Sequence, residues 1–190
     1  MKILIGCEYS GKVRQAFRDK GHDAWSCDII PSDDNSPYHI QDDIMNHLDD
    51  GWDMMICFPP CTHLCVSGAR WFKDKIPEQK EALKFVKILL DSNIPKIVLE
   101  NPVGIISTRI RKPDQIIQPY EFGHTETKKT CIWLKGLPKL NPTDNVYDEM
   151  MKLPKKIRNR IHYMPNTKNR GKDRSETFTG IANAMAEQWG

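Results

Sequence analysis

The chain has 190 residues, of which 39% are hydrophobic and 28% are charged, with a formal net charge of +3. This length and balance are typical of a soluble globular protein, and they predict one domain spanning residues 1–190. No apolar run approaches the roughly 18 residues that a membrane helix needs, which argues against a membrane-spanning segment.

The predicted elements alternate between strands and helices. In chain order, the patterns predict strand 2–5, helix 11–20, strand 22–28, helix 42–49, strand 53–58, helix 77–93, strands 96–100 and 130–134, and helix 181–189. Helix 11–20, for example, is indicated by Val13, Ala16 and Phe17, which share one helical face. The alternation predicts an α/β fold with a largely parallel sheet and flanking helices.

The stretch 135–175 shows little periodicity and predicts an insertion or a flexible arm. Between Lys152 and Arg174 it holds nine Lys or Arg residues and one acid, Asp173. A solvated loop explains each basic residue singly, but their number in one stretch favours contact with nucleic acid.

The start of the chain, MKILIGCEYSG, has too short an apolar stretch for a signal peptide and runs directly into a glycine turn. Without an export signal, the six cysteines are expected to be reduced thiols in the cytoplasm and not a disulfide framework.

Polar and turn residues follow four of the predicted strands. Residues 6–11 follow the first strand, Asp28 ends the second, residues 59–61 follow the strand at 53–58, and residues 100–102 follow the next. Ligands in open α/β sheets bind at the carboxyl ends of the strands, so the sequence predicts one shared site at this edge.

The turn at 6–11 and Asp28 together fit a nucleoside cofactor. A glycine turn lets a cofactor approach the backbone, and an acid about 20 residues further on can accept hydrogen bonds from ribose hydroxyls. An ordinary strand-to-helix turn explains the same residues about equally well, so both interpretations stay open at this point.

The stretch CFPPCTHLC, residues 57–65, carries three cysteines spaced four apart. Pro59 and Pro60 oppose a helix that would align the three thiols. The spacing also differs from the paired cysteines of zinc sites, so a metal site with His63 as fourth ligand is disfavoured.

The three cysteines have different predicted environments. Cys57 is expected to be a small core residue of the strand, and Cys65 to pack beneath the loop. Cys61 lies just past the strand end on a rigid turn, where a thiol acts either as a nucleophile or as a structural residue. Glu100 ends the neighbouring strand, where it either caps a turn or hands a proton to a ring nitrogen while the thiol attacks.

In their order along the chain these residues resemble the DNA cytosine carbon-5 methyltransferases. The resemblance spans residues 3–190 and rests on the glycine turn, the acid, Pro-Pro-Cys, Glu-Asn and a closing Asn-Ala-Met helix. More narrowly, the chain resembles small phage or prophage cytosine methyltransferases through segments such as CVSGARWF, IRKPDQIIQP and LKGLP. The resemblance implies a Rossmann-like fold that binds S-adenosylmethionine.

The resemblance also implies roles for individual residues. Cys61 would be the catalytic nucleophile, and Glu100 would act at the ring N3 of cytosine. The residues implied for S-adenosylmethionine are Gly6, Glu8, Tyr9, Ser10, Gly11, Asp28, Asp43, Ile44, Pro59 and Asn183. The residues predicted to contact the DNA substrate are Asn101, Lys128, Lys129, Arg158, Arg160, Arg170 and Arg174. No metal is implied.

The sequence departs from the family pattern at several positions. Glu8 and Tyr9 stand where the family's first motif has glycines, and Thr62 stands where a glutamine follows the catalytic cysteine. Residues 126–130 only echo the family's arginine motif, because lysine lacks the bidentate fork of arginine. The basic stretch 135–175 takes the place of a large target recognition domain.

These observations leave three functions open. The first is an enzyme that methylates cytosine in DNA, and the second is a catalytically impaired relative that binds DNA or a partner. The third is an enzyme with another acceptor, such as an exocyclic nitrogen, which is less favoured because nitrogen-methylating enzymes carry an aromatic residue where this chain has Cys61. The small recognition segment leaves room for a partner protein or a homodimer. The expected location is cytoplasmic, in a bacterial host if the protein is phage-encoded.

Overall fold

The computed structural model describes residues 1–66, 74–168 and 170–190. Within these ranges the strands are β1 (Lys2–Gly6), β2 (Asp23–Asp28), β3 (His39–Gln41), β4 (Met54–Cys57), β5 (Lys96–Pro102), β6 (Gln115–Ile117) and β7 (Thr130–Lys135). The helices are α1 (Lys12–Asp19), α2 (Ile76–Asp91), α3 (Ile106–Arg109), α4 (Tyr147–Lys152), α5 (Lys155–Arg158), α6 (Arg160–Tyr163), α7 (Arg170–Ser175) and α8 (Thr179–Trp189). The segment CVSGARWF extends past Val66 and so lies largely outside the described residues.

The strands form one sheet in the order β3-β2-β1-β4-β5-β7-β6. Strands β1 to β5 run parallel to one another. Strand β7 runs antiparallel to both β5 and β6. The predicted α/β class with a largely parallel sheet is therefore confirmed. The carboxyl ends of β1, β2, β4 and β5 meet at one edge of this sheet, as the site prediction requires.

The core lies on both faces of the sheet, because side chains along a strand alternate between its two sides. Ile3 packs with Phe17 of α1 and Met185 of α8 on one face. Leu4 packs with Leu89 of α2 on the other. All five side chains are fully buried.

The predicted helix at 42–49 is wrong. This stretch holds a single 3-10 turn, Ile44–Asn46, that follows directly on β3. Asp42 accepts hydrogen bonds from the backbone of Asp43 and the side chain of Asn46, and Asp43 accepts one from the backbone of Met45. These local side-chain bonds offer the backbone an alternative to a helix.

The stretch 135–175 was expected to be an insertion or a flexible arm, and the structure folds much of it into the four short helices α4 to α7. Few of its side chains are buried, among them Met150 in α4 and Ile161 in α6. Helices this short, with one inward residue or none, leave no helical periodicity in the sequence. Among the described residues, no helix is long and apolar enough to cross a membrane.

Candidate active site

The turn after β1 is built around a buried carboxylate. Glu8 is 4% exposed and accepts hydrogen bonds from the backbone N–H groups of Val13 (2.7 Å) and Arg14 (3.3 Å) at the start of α1. Burial raises the pKa of Glu8 to about 7, although these hydrogen bonds oppose the shift. Glu8 thus caps α1 from inside, and its carboxylate faces the helix.

Gly11 at the end of this turn has a φ of 71°, and a Cβ atom there would collide with the guanidinium of Arg14. Arg14 is fully buried, donates to Ser26 Oγ (2.8 Å) and forms an ion pair with Asp34. Ser26 Oγ also lies 2.8 Å from Nδ1 of His39. This buried network connects α1, β2 and β3 beneath the loop that follows Asp28.

A cleft of about 920 Å³ opens at the carboxyl ends of β1, β2 and β3. Its described lining residues are Cys7, Cys27, Asp28, Ile29, Asp42, Asp43, Ile44, Pro60, His63, Ile76, Pro77, Glu78, Lys80, Glu81, Ala82 and Phe85. Three of the predicted cofactor residues, Asp28, Asp43 and Ile44, are therefore brought together here. Burial raises the pKa of Asp28.

Other predicted cofactor residues lie beneath the cleft or away from it. Gly6 lies under it, because a Cβ atom there would collide with Ile44 and Cys57. Ser10 contacts the Glu8 carboxylate, 3.3 Å away. Asn183 is exposed on α8, and it is not among the cleft's described lining residues.

Tyr9 points to a different partner. Its hydroxyl lies 3.0 Å from Ser175 Oγ at the end of α7, and its ring contacts the ammonium of Lys172. Lys172 also forms an ion pair with Asp33. The turn after β1 is thus partly covered by α7, a contact that the sequence pattern did not indicate.

The cleft has the size and chemistry of a cofactor site. Its volume falls in the range of small-molecule pockets, about 300 to 1,000 Å³. Carboxylates at Asp28 and Asp43 can accept hydrogen bonds from a nucleoside, and the apolar side chains of Ile29 and Ile44 lie beside them. Ile29 is 73% exposed, so an apolar part of a ligand in the cleft can pack on its side chain.

The loop that carries Cys61 is held against the end of β5. Asn101 is 1% exposed, and its side-chain amide donates a 2.7 Å hydrogen bond to the carbonyl of Pro59. Pro60 and His63 both line the cleft, and Cys61 lies between them in sequence. The predicted pairing of Pro-Pro-Cys with Glu-Asn therefore has a direct structural link.

The charge of Glu100 acts on the thiol of Cys61. The pKa of the Cys61 thiol is raised by its hydrogen bond with Cys65, by burial and by the negative charge of Glu100. Burial likewise raises the pKa of Glu100, against a hydrogen bond from Thr130. The positive charge of Lys128 lowers the pKa of both groups, which places one cation beside the thiol and the carboxyl.

Four of the other cysteines, Cys27, Cys57, Cys65 and Cys131, are buried, whereas Cys7 is half-buried and lines the cleft. Cys57 is fully buried in β4 and Cys65 is 9% exposed, as predicted from the sequence. Burial also raises the pKa of Cys27 to about 12. Among the described residues, no group of three or more His, Cys, Asp or Glu side chains could hold a metal ion.

The basic stretch joins the site through residues 126–128. Thr127 donates its backbone N–H to the carbonyl of Arg158 (2.8 Å), and its hydroxyl donates to the side chain of Asn159. Arg160 forms a 3.0 Å ion pair with Glu126. Helices α5 and α6 therefore contact the loop that leads directly to Lys128.

The predicted DNA-contacting residues differ in how free their side chains are. Arg158 donates to the carbonyl of Met151, 3.2 Å away, and is half-buried. Arg170 and Arg174 are half-buried on α7, whereas Lys129 is exposed. Lys155 and Lys156, which belong to the same basic stretch, are both exposed on α5.

Comparisons with known proteins give little further information. No protein-family model matches the chain, and no curated protein does. One solved structure with a similar fold is a prophage-encoded protein of E. coli described as a candidate DNA modification methyltransferase. The two proteins are 15% identical in sequence, with a TM-score of 0.47. The match covers 80% of this chain and 55% of the E. coli protein, so this chain spans about half the length of that protein. A similarity at this level does not indicate an activity.

Proposed function

We propose that this protein is a DNA methyltransferase that transfers the methyl group of S-adenosylmethionine to carbon-5 of cytosine. One observation carries the proposal. Cys61 follows β4, and Glu100 lies near the end of the adjacent parallel strand β5. The negative charge of Glu100 raises the pKa of the Cys61 thiol, next to a nucleoside-sized cleft that Pro60 and His63 line. A thiol nucleophile next to a proton donor is what addition to a pyrimidine ring needs.

The cleft fits the cofactor that this reaction requires. Asp28, Asp43 and Ile44 all line it, where Asp28 would accept hydrogen bonds from the ribose hydroxyls and Asp43 with Ile44 would contact the adenine. S-adenosylmethionine bound there would supply an electrophilic methyl group. The carboxylates that line the cleft favour a ligand with positive charge, such as this sulfonium.

The protein's own residues would activate the acceptor. Carbon-5 of cytosine is a poor nucleophile, and attack of the Cys61 thiolate on carbon-6 makes it enamine-like. Glu100 donates a proton to the ring N3, so the electron pair displaced by the thiolate does not build up as negative charge. After methylation, water takes the carbon-5 proton and Glu100 takes back the N3 proton, so the ring double bond is restored and Cys61 leaves as thiolate.

The raised pKa of Glu100 suits both parts of this step. A raised pKa increases the fraction of Glu100 that carries a proton, and only the protonated carboxyl can donate to N3. Protonation also removes the negative charge that raises the pKa of Cys61, so the thiolate forms more readily beside neutral Glu100. Lys128 stabilises the thiolate from the same site, and Asn101 holds the loop through Pro59.

DNA is the acceptor that the surface charge favours. A target base in a duplex must leave the stack, at a cost of a few kcal/mol, before a thiol can reach its carbon-6. Basic side chains on α5 to α7 can offset this cost through phosphate contacts. Helices α5 and α6 contact the loop at 126–128, next to the site.

One observation favours a second function, binding without turnover. The thiol of Cys61 is hydrogen-bonded to Cys65, and both this bond and burial disfavour the thiolate. A protein that kept the cleft and lost the nucleophile's reactivity would still bind S-adenosylmethionine and DNA.

Labelled methyl transfer separates the two functions. The protein is incubated with S-adenosylmethionine carrying a labelled methyl group and with DNA, and the nucleosides are then analysed by mass. We expect 5-methylcytosine with wild type, none with Cys61→Ser, and at least a hundredfold lower rate with Glu100→Gln, which cannot transfer a proton. Label on another nucleoside would contradict the assigned acceptor, and binding of cofactor and DNA with no product would support the second function.

A further inference from the structure

Thr130 is a buried polar residue that the proposed reaction does not use. It begins β7 and is 3% exposed. Strand β7 runs antiparallel to β5, and Glu100 pairs there with Ile132, two residues further along than Thr130. Thr130 therefore lies on the same face of the sheet as Glu100, as its diagonal neighbour, which brings the two side chains within reach of each other. Its hydroxyl forms a hydrogen bond with the Glu100 carboxyl.

The same hydroxyl has a second partner. Thr130 Oγ1 donates to the backbone carbonyl of Lys128, 3.1 Å away. A hydroxyl has one hydrogen, so it cannot donate to this carbonyl and to the Glu100 carboxyl at once. Its oxygen can still accept a hydrogen bond while the hydrogen is donated elsewhere. The direction of the bond between Thr130 and Glu100 therefore depends on whether Glu100 carries a proton.

The two protonation states of Glu100 use the hydroxyl differently. Protonated Glu100 can donate to Thr130 Oγ1 while Thr130 donates to the Lys128 carbonyl, so all three groups are paired. Ionised Glu100 has no hydrogen to donate and accepts the hydrogen of Thr130 instead. A hydrogen bond to a carboxylate is roughly twice as strong as one between neutral groups, so the hydroxyl turns to Glu100 when the proton leaves.

We infer that Thr130 is a positioning residue for methyl transfer: its hydroxyl orients the Glu100 carboxyl and turns from the Lys128 carbonyl to the carboxylate as the proton passes to N3. This inference rests on the proposed function, since the cytosine ring assigned there is the proton acceptor. The proton that Glu100 loses is the one that N3 gains. The hydrogen of Thr130 changes its acceptor and stays on its own oxygen.

The other titratable groups around Glu100 come from three elements. Lys128, in the loop before β7, lowers the pKa of Glu100 through its positive charge, against the effect of burial. Cys61, after β4, has its pKa raised by its hydrogen bond with Cys65, by burial and by Glu100. Cys131, on β7, has its pKa raised by burial and by Glu100. Both thiol pKa values lie above the ordinary 9.0, so near neutral pH Lys128 is the member of this set that carries a charge.

The pKa of Glu100 measures the contact with Thr130 directly and needs no turnover. Carbon-13 NMR of the glutamate carboxyls gives this pKa as pH is varied, and Glu100→Gln identifies the signal. Thr130→Val removes the hydroxyl and keeps the branched shape, whereas Thr130→Ser keeps the hydroxyl and is the conservative variant. Thr130→Ala also lacks the hydroxyl and takes the place of the valine variant if valine disturbs β7. The matched control is Thr108→Val, because the Thr108 hydroxyl also donates to a backbone carbonyl, that of Ile105, 3.1 Å away.

We expect Thr130→Val to raise the pKa of Glu100 by about one unit, because the carboxylate loses a stronger hydrogen bond than the protonated form does. Thr130→Ser and Thr108→Val should leave this pKa as in wild type. In labelled methyl transfer, kcat of Thr130→Val should fall about tenfold while KM for DNA stays unchanged. The decline of kcat toward high pH, where Glu100 loses its proton, should move up by the same unit.

An unchanged pKa of Glu100 in Thr130→Val, or an equal rise in Thr130→Ser, would overturn the inference and leave the proposed function intact. A rate that falls equally at every pH would also overturn it, because this is the result expected if Thr130 only packs in β7. If the pKa moves as expected but wild type forms no 5-methylcytosine, the proposed function fails, and with it the proton transfer to N3.

Discussion

Glu8 is a buried carboxyl and Glu100 a half-buried one; both have raised pKa values, and their surroundings give them different roles. Glu8 accepts hydrogen bonds from backbone N–H groups at the start of α1, so its carboxyl stabilises the beginning of this helix. Glu100 interacts with Cys61 and Lys128, so its carboxyl acts on a reaction centre. Burial shifts both pKa values in the same direction, and only the neighbouring groups distinguish the two.

The raised pKa of Glu8 predicts how stability depends on pH. The folded carboxyl keeps its proton up to about pH 7, whereas the unfolded carboxyl loses it near 4.5. Between these values the folded state binds more protons, so Glu8 makes the protein less stable as pH rises from 4.5 to 7, by up to about 3 kcal/mol. Glu8→Gln removes this contribution, because glutamine does not titrate.

Urea unfolding at pH 5 and pH 7 measures the effect. The free energy of unfolding of Glu8→Gln, relative to wild type, should be higher at pH 7 than at pH 5. The informative quantity is the difference in unfolding free energy between the two proteins, because the other titratable groups contribute equally to both and cancel. Parallel pH profiles for the two proteins would contradict the buried, partly protonated state of Glu8.

At the scale of elements, the sequence predicted the long periodic segments and missed the short ones. Helix α2 was expected at 77–93 and spans Ile76–Asp91, because its apolar residues repeat over several turns. Strands β3 and β6 have only three residues each, too few for an alternation to register. Helices α4 to α7 are short and largely exposed, so no apolar pattern indicates them.

The contact between the basic helices and the site is likewise invisible in the sequence. It depends on hydrogen bonds between Thr127 and residues 158–159, more than 30 positions away along the chain. This contact places the exposed lysines of α5 on the part of the molecule that carries Lys128.

Lys155 and Lys156 are therefore expected to contact DNA phosphates. The double variant Lys155→Ala/Lys156→Ala should weaken DNA binding to a similar extent on any sequence. Each lost phosphate contact reduces the slope of log K against log salt by about 0.9, so the double variant should lower it by about 2. Binding measured by fluorescence anisotropy across a salt series gives this slope.

A matched control is Lys96→Ala/Lys135→Ala. Lys96 begins β5 and Lys135 ends the antiparallel strand β7, so both lie at the opposite edge of the sheet from Glu100. Their removal lowers the net charge equally and should leave the salt slope unchanged. Equal reductions for the two double variants would mean that charge alone, and not the position of α5, governs binding.

At the scale of the whole molecule, the site is built from strand ends that are far apart in sequence. The rule that ligands bind at the carboxyl ends of parallel strands predicted a site at Asp28, whereas Asp43 and Ile44 were implied by the family resemblance; all three line one cleft. The rule could not predict that residues of α2 line one side of the cleft, or that His63 lines it as well. These depend on how a helix packs on the sheet and on a single turn after Cys61.

Position in a motif also failed to give the direction in which a side chain points. Glu8 and Tyr9 stand in the turn where cofactor contacts were expected, yet Glu8 points into the fold and Tyr9 contacts α7. Asn183 lies on a helix that packs on the face of the sheet opposite α2. Side-chain direction is set by packing, which the order of motifs does not contain.

The central claim is that Cys61 forms a covalent bond to cytosine, and DNA containing 5-fluorocytosine tests it most directly. Fluorine at carbon-5 cannot leave as a proton would, so the thiol stays attached after methyl transfer. Intact mass analysis of wild type with this DNA and S-adenosylmethionine should show one protein–DNA adduct, which Cys61→Ser lacks and Cys65→Ser retains. An adduct that persists in Cys61→Ser, or wild type that binds cofactor and DNA without forming any adduct, would contradict the claim.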